Sequence, residues 1–201
     1  MNFYKPNGSL DIICGSMFSG KTEELIRRMR RAIYGQKKVQ VFKHNFDNRY
    51  LATFINSHNG EKLQAISASN VNEIIECIAP ETEIIGIDEI QFFGKEIILA
   101  VDTLVKNGKK VIAAGLDLDF RGLPFGAMPY LLALADNVTK LKAVCVKTGK
   151  DAHFSQRIVN GRPARHNDEI ILVGATECYE ARSRDSFEID KIPLEKYLEN
   201  K

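Results

Sequence analysis

Gly15-Ser16-Met17-Phe18-Ser19-Gly20-Lys21-Thr22 has the spacing G-x-x-x-x-G-K-T. Glycines at both ends let the backbone turn tightly, so that several N–H groups point inward at phosphate oxygens. The Lys21 ammonium adds a point charge for the β- and γ-phosphates, and the Thr22 hydroxyl is the group that holds Mg²⁺ in such phosphate loops. At average residue frequencies the pattern arises by accident in about one chain of this length in a hundred. The flanks lower that chance. Leu10–Cys14 is a short, mostly apolar strand, and Leu25, Ile26, Met29, Ala32 and Ile33 follow at helical spacing, with Gly35 as a stop. Strand, loop and helix is the context that a nucleoside-triphosphate site requires.

A second constellation is Ile84-Ile85-Gly86-Ile87-Asp88-Glu89, an apolar strand ending in two carboxylates. In a phosphate-loop protein an acid at such a strand end reaches the Mg²⁺ shell. Asp88 is the candidate, and Glu89 then points towards the attacking nucleophile. Two solvated acids at a strand end is the plain alternative. Asp88-Glu89-Ile90-Gln91 also has the form of the D-E-x-Q box of helicases, but such a motor needs a second domain that 201 residues cannot hold. Phe92 and Phe93 follow at once, and Phe120 and Phe125 bracket Arg121-Gly122-Leu123-Pro124. Aromatic rings near a strand end can form a slot for a flat base. Burial for packing alone is the competing explanation.

These groups must be positioned by alternating strands and helices. Val39–Lys43, Glu83–Ile87 and Lys110–Ala114 read as strands; Val71–Ile78 and Lys95–Lys106 read as helices. The alternation implies an α/β fold, a parallel sheet flanked by helices. After Lys142 the character changes: short β-like pieces, Ala152–Val159 and Glu169–Val173, are separated by Gly149, Asn160-Gly161 and Asn167-Asp168. The expected organisation is a phosphate-loop domain over 1–142, a small strand-rich domain over 143–192 and a tail over 193–201. The stretch from Ser183 onward is polar and is expected to be partly disordered.

Hydrophobic content of 44%, charged content of 27% and a net charge of +2 are ordinary for a soluble globular protein. No apolar run approaches a membrane span, and the first residues lack the apolar core of a signal peptide, so a cytoplasmic protein is expected. Arg27, Arg28, Arg30, Arg31, Lys37 and Lys38 cluster around the first helix. With the chain nearly neutral, a solvated helix face explains them better than a nucleic-acid surface. Cys14, Cys77, Cys145 and Cys178 lie far apart with no C-x-x-C pair and read as free thiols.

The phosphate loop, Phe46-Asp47-Asn48-Arg49-Tyr50, Ser57-His58-Asn59-Gly60, Asp88-Glu89-Ile90-Gln91-Phe92-Phe93 and Gly115-Leu116-Asp117-Leu118-Asp119-Phe120-Arg121-Gly122 occur in that order. Together with Val173-Gly174-Ala175 and Tyr179-Glu180-Ala181-Arg182 they resemble the thymidine kinases of the cellular, RecA-like type. The resemblance runs from about Gly8 to Arg182. It implies transfer of the ATP γ-phosphate to the thymidine 5′-hydroxyl, with Glu89 as general base. An ordinary carboxylate is too weak a base to deprotonate an alcohol in the ground state. Phosphoryl transfer is loose, so the base chiefly orients the hydroxyl and accepts its proton late. The implied ATP-binding set is Gly15 to Thr22, Asp88, Gln91 and Arg49, with Mg²⁺ held through Thr22 and Asp88. For the nucleoside it implies Phe120 against the base, and Met17, Leu116, Phe93 and Phe125 as the apolar wall. It also implies a substrate loop, the lasso, over Ile170, Ile171, Leu172, Val173 and Gly174, and Tyr179 closing over the nucleoside.

The resemblance also implies a homotetramer and feedback inhibition by thymidine triphosphate. One feature departs from it. Family members carry a structural zinc in the lasso domain, and the corresponding positions here are Cys145, Thr148, Ser183 and Ser186. One thiol remains of four ligands, and hydroxyls are poor zinc ligands. Cys178, His153 and His166 could rebuild a site around Cys145, but their spacing is irregular. A lasso domain without zinc is therefore expected. A kinase of shifted pyrimidine preference, a nucleotide-sensing module and a nucleic-acid motor are the competing classes.

Overall fold

The computed structural model of the chain describes residues 8–45, 54–56, 60, 62–170 and 177–189. Arg49 and its motif, Ser57 to Asn59, the lasso residues Ile171 to Gly174 and the 193–201 tail lie outside the described residues.

In chain order the first half contains β1 (Ser9–Cys14), α1 (Lys21–Tyr34), β2 (Val39–His44), β3 (Phe54–Asn56), β4 (Lys62–Gln64), β5 (Ile66–Ala68), α2 (Val71–Cys77) and β6 (Ile84–Asp88). A 3₁₀ turn (Ile90–Phe92), α3 (Glu96–Lys106), β7 (Lys110–Gly115), α4 (Met128–Leu134) and β8 (Asn137–Lys140) follow. The remainder is β9 (Ala143–Val144), β10 (Asp151–Ala152), β11 (Phe154–Val159), β12 (Arg162–Pro163) and β13 (Glu177–Arg182).

Six parallel strands form the main sheet in the order β5-β2-β6-β7-β1-β8. Helix α1 covers one face, where Leu25, Ile26 and Met29 pack with Ile13, Val41, Ile112 and Ala114. The short β3–β4 hairpin adds Ile55 to that layer. Helices α2, α3 and α4 cover the other face with Ile74, Ile97, Val101, Met128 and Leu131, over Ile12, Phe42, Ile85, Ile87 and Val111. Strands covered on both faces read as continuous apolar runs, which is why β1, β6 and β7 are legible in the sequence. Helix α4 is not: it has only seven residues and no apolar stripe long enough to register a period.

The polypeptide then leaves the main sheet. Antiparallel β9 and β10 form one ribbon, and β11 is the centre of a three-stranded sheet, β12-β11-β13. The expected strand Ala152–Val159 is broken at His153, whose N–H donates to Arg182 O at 3.1 Å, while the neighbouring residues pair with different partners. Glu169 and Ile170 are not in a strand. Of the polar stretch from Ser183 onward, residues 183–189 are described and are anchored as far as Glu188, while 190–201 lie outside the described residues. Phe187 stacks on Phe154 with ring centres 4.5 Å apart, and the Glu188 N–H donates to Gln156 Oε1 at 2.8 Å. Among the described residues, no helix is long and apolar enough to cross a membrane.

All four cysteines are free thiols; Cys14 and Cys145 are buried, whereas Cys77 and Cys178 are exposed. Burial, reinforced by the nearby Asp117 charge, pushes the Cys14 thiol up to about 11. A chromogenic disulfide reagent at pH 8 is therefore expected to titrate the two exposed cysteines in the native protein and all four after unfolding. Rapid reaction of Cys14 in the native state would contradict this packing.

Candidate active site

The site sits where three adjacent strands, β6, β7 and β1, end. Their register aligns Ile87, Ala113 and Ile12 in one row, so the residues that follow emerge side by side. Ligands of open α/β sheets bind outside such carboxyl ends. From β1 the chain enters the phosphate loop through Gly15 at φ 141°. A Cβ there would lie 2.3 Å from the Leu141 carbonyl oxygen, so only glycine fits. Gly20 at φ 84° is the N-cap residue of α1, which turns the first N–H groups of that helix towards the loop.

Lys21 Nζ donates to the Ser16 carbonyl at 2.7 Å, and Ser19 Oγ donates to the same oxygen at 2.8 Å. Burial pulls the Lys21 ammonium below the usual lysine range, while the charges of Glu89, Asp88 and Asp117 oppose that shift. The first residue after the lysine meets the second constellation. Thr22 Oγ1 donates to Asp88 Oδ2 at 3.2 Å, across 66 residues of sequence. Asp88 is 4% exposed. Burial first, and Glu89 second, raise its carboxyl above the ordinary aspartate range; the Glu89 N–H and Thr22 pull it back. A hydroxyl beside a carboxylate that resists carrying its charge alone is a hard-oxygen donor set that suits Mg²⁺.

Glu89 follows in the left-handed region, at φ 54° and ψ 40°. Outside glycine this conformation costs on the order of 1–3 kcal/mol and persists where the surroundings impose it. Two contacts of one side chain hold it here. Gln91 Nε2 donates to Glu89 Oε2 at 2.6 Å, and Gln91 Oε1 accepts the Leu116 N–H at 3.1 Å. Gln91 thus straps Glu89 to the end of β7. A Cβ on Gly115 would lie 2.5 Å from Gln91 Oε1, so the strand must end in glycine for the strap to form. Phe18 of the phosphate loop, at φ 64°, is a second non-glycine residue in the left-handed region at this site.

The loop after β7 carries Phe120. Asp119 organises it: Oδ1 accepts the N–H groups of Arg121 and Leu123 at 2.8 and 3.1 Å, and Oδ2 receives the Arg121 guanidinium at 2.6 and 2.9 Å. Phe125 closes the loop through its N–H on Asp117 O at 3.0 Å, and its ring meets Phe92 edge-on. Phe120 is 4% exposed, and the Arg157 guanidinium lies 4.0 Å above its ring centre. Tyr179 of β13 meets the same guanidinium: its hydroxyl accepts from Arg157 Nε at 3.0 Å. Ile170 adjoins this group through its carbonyl. Phe93 is buried in the core on the α2–α4 side, edge-on to His44.

The structure therefore brings Lys21, Thr22, Asp88, Glu89, Gln91 and Leu116 to one end, and Phe120, Ile170 and Tyr179 to a second group. Met17 joins the two ends, because its N–H donates to Ser155 Oγ of β11 at 2.9 Å, and Ser16 Oγ donates to the Ala152 carbonyl at 3.3 Å. Sequence reasoning passed over Ser155, Arg157 and Asp117. Asp117 is buried and pairs with the Lys140 ammonium at 2.7 Å. For Arg157 the available signal was a charged residue inside an otherwise strand-like run, Phe154–Val159, sharing a face with Ser155.

The positions that correspond to the family's zinc ligands also converge. Ser186 Oγ lies 3.1 Å and Ser183 Oγ 3.4 Å from Cys145 Sγ, and Ser183 Oγ lies 3.0 Å from both Thr148 Oγ1 and Ser186 Oγ. Among the described residues, no group of three or more His, Cys, Asp or Glu side chains is arranged to hold a metal.

A family model described as thymidine kinase matches residues 8–187. That span contains the phosphate loop, the Asp88–Glu89 strand end, the Phe120 loop and the sheet that carries Arg157 and Tyr179. The chain belongs to the thymidine kinase family, the enzymes that use ATP to phosphorylate thymidine to its monophosphate.

Proposed function

We propose that thymidine is phosphorylated here with the phosphate loop as the donor end and Glu89 as the general base. The observation that carries this reading is the strand-end arrangement. Thr22 and Asp88 are 3.2 Å apart, and the adjacent Glu89 is held in a left-handed conformation by Gln91. Asp88 and Thr22 would hold Mg²⁺, which when bound neutralises charge on the β- and γ-phosphates. The N–H groups of Gly15 to Thr22 and the Lys21 ammonium stabilise the transferring phosphoryl group. Glu89 orients the 5′-hydroxyl and accepts its proton as the bond forms. Gln91 keeps the Glu89 carboxylate aimed without itself taking a proton. Arg49, outside the described residues, is assigned to the phosphates on the resemblance alone.

Phe120 and Tyr179 receive the nucleoside, with Met17, Leu116 and Phe125 lining the apolar wall and Phe93 backing it from the core. The segment Ile170 to Gly174 supplies backbone groups to the base edge. This makes 1–142 the phosphate-loop kinase domain, which holds the donor and one wall of the nucleoside site, and 143–192 the small domain that covers the nucleoside. Glu89→Gln keeps the size and the Gln91 contact but removes the base. Its kcat is expected to fall about 10²–10⁴-fold, with little change in melting temperature or in KM for ATP. Turnover within about tenfold of the parent would overturn the assignment. Thymidine, deoxyuridine and deoxycytidine compared as acceptors test the pyrimidine preference.

We further propose that the small domain folds without zinc. A structural zinc site needs four nitrogen or sulfur donors, and the convergent cluster offers one. Its protons close a hydrogen-bond set instead. The Ser183 hydroxyl donates to Asp185 or to the Cys145 sulfur, Thr148 can donate to Ser183, and Ser186 can donate to Cys145, whose thiol, against the upward push of burial, these hydroxyls draw down to about 5. Elemental analysis is expected to find far less than one zinc per chain, and a chelator should leave the melting temperature unchanged. Stoichiometric zinc that resists dialysis would sink this reading.

A cytoplasmic homotetramer without a nucleic-acid partner, inhibited by thymidine triphosphate, completes the proposal. Exposed Tyr34 on α1, Leu99 on α3, and Tyr130 and Leu134 on α4 support assembly through helix faces. Arg27 and Arg28 both pair with Glu24, at 2.6 and 2.8 Å, and Arg28 also lies 3.7 Å from Asp11, which supports arginines committed in part to pairs within the chain rather than to a polyanion. Sedimentation at micromolar concentration is expected to give a tetramer, and thymidine triphosphate is expected to inhibit turnover. A stable monomer contradicts the first, and full activity with saturating triphosphate the second.

A further inference from the structure

Arg157 is the largest fully buried side chain among the described residues, at 0% exposure. Burying a guanidinium is costly unless its donors are matched. Here all three of its nitrogens have partners. Nε donates to the Tyr179 hydroxyl at 3.0 Å, Nη1 to the Glu169 carbonyl at 2.6 Å, and Nη2 to the Ile170 carbonyl at 2.7 Å. Its central carbon lies 4.0 Å from the Phe120 ring centre and 5.7 Å from that of Tyr179.

The partners come from separate parts of the fold: Phe120 from the loop after β7, Glu169 and Ile170 from the loop after β12, and Tyr179 from β13. Arg157 itself is on β11. Two residues earlier on the same face of that strand, Ser155 accepts the Met17 N–H of the phosphate loop. One strand therefore touches the donor end through Ser155 and the Phe120–Tyr179 group through Arg157. A planar fork can satisfy a hydroxyl and two carbonyls while lying on a ring; a lysine ammonium cannot do all of these at once.

We propose that Arg157 is the positioning residue of the nucleoside end. It sets the plane of Phe120, the place of the Tyr179 hydroxyl and the two carbonyls at 169 and 170, so that the base meets a preformed surface. This rests on the reading of Phe120 and Tyr179 as nucleoside contacts. Arg157 does no chemistry, and its loss therefore separates acceptor binding from donor binding.

The test is steady-state kinetics on Arg157→Lys, Arg157→Met and Tyr179→Phe, with thymidine and ATP varied separately. In Arg157→Lys the KM for thymidine is expected to rise at least about tenfold, while the KM for ATP stays within about twofold. Tyr179→Phe removes one partner of the fork. Combined with Arg157→Lys it should raise the thymidine KM by less than the product of the single effects. A thymidine KM unchanged within about twofold in folded Arg157→Lys would overturn the proposal. So would equal rises in both KM values, or a multiplicative double variant, since each marks a role in general stability. Should Arg157→Met not fold, Arg157→Lys and the double variant carry the test. Phe120→Leu is the separate control: an unchanged thymidine KM there would overturn the nucleoside reading itself, and the proposal with it.

Discussion

The level ending of three parallel strands is the constraint on which the meeting of the phosphate loop with Asp88 and Glu89 depends. β6, β7 and β1 are hydrogen-bonded neighbours in register, so residues that follow them in sequence emerge beside one another in space. Thr22 and Asp88 meet because of that register, not because of any affinity between their chain segments. The small residues that end β7, Ala113, Ala114 and Gly115, leave room between the flanking strand ends. Gln91 fills that room and passes the position of β7 to the Glu89 carboxylate. A bulkier β7 end would displace the strap and release the carboxylate from its strained conformation.

The strand-rich region after β8 obeys a different logic. Among the described residues its buried apolar cluster is Ala143, Cys145, Ala152 and Ala181, all small, with Phe154 and Ala164 buried nearby in the chain. A domain so poor in core needs cross-links, and metals commonly serve small domains in this way. The described residues show hydrogen bonds, an ion pair and a ring stack in this region. Cys145 and three hydroxyls close one end, Arg182 bonds Glu180 and the Ser186 carbonyl, and Phe187 stacks on Phe154. Hydrogen bonds of this kind contribute individually about 0.5–1.5 kcal/mol. Each is weak alone, so what they contribute depends on their number and burial.

β11 touches both groups of residues. Its alternate residues serve opposite sides: Ser155 and Arg157 face the phosphate loop and Phe120, while Phe154 and Gln156 hold Phe187 and Glu188. A strand is well suited to this, because its period of two separates the tasks without any side chain sharing them. The tie of Met17 to Ser155 also means that the phosphate loop is braced by β11 as well as by its own sheet.

The sequence by itself carried the phosphate-loop motif and the class of the fold. Phosphate binding by backbone N–H groups requires glycine at set spacing, and strands covered on both faces must be apolar throughout, so both leave local marks. Asp88 and Glu89 were legible for the same reason, as acids closing an apolar run. What only the tertiary structure decided lies in contacts between distant segments. Arg157 reads as a surface charge until Tyr179, Phe120 and two carbonyls surround it. The strap from Gln91 to Leu116 depends on the register of β7, and the ordering of Ser183 to Glu188 depends on Phe154 and Gln156. None of these carries a period or a spacing, because each is a pairing of one residue with a partner far along the chain. Short elements such as α4 and β5 escaped for a related reason: their position is set by the sheet they complete, not by their own pattern.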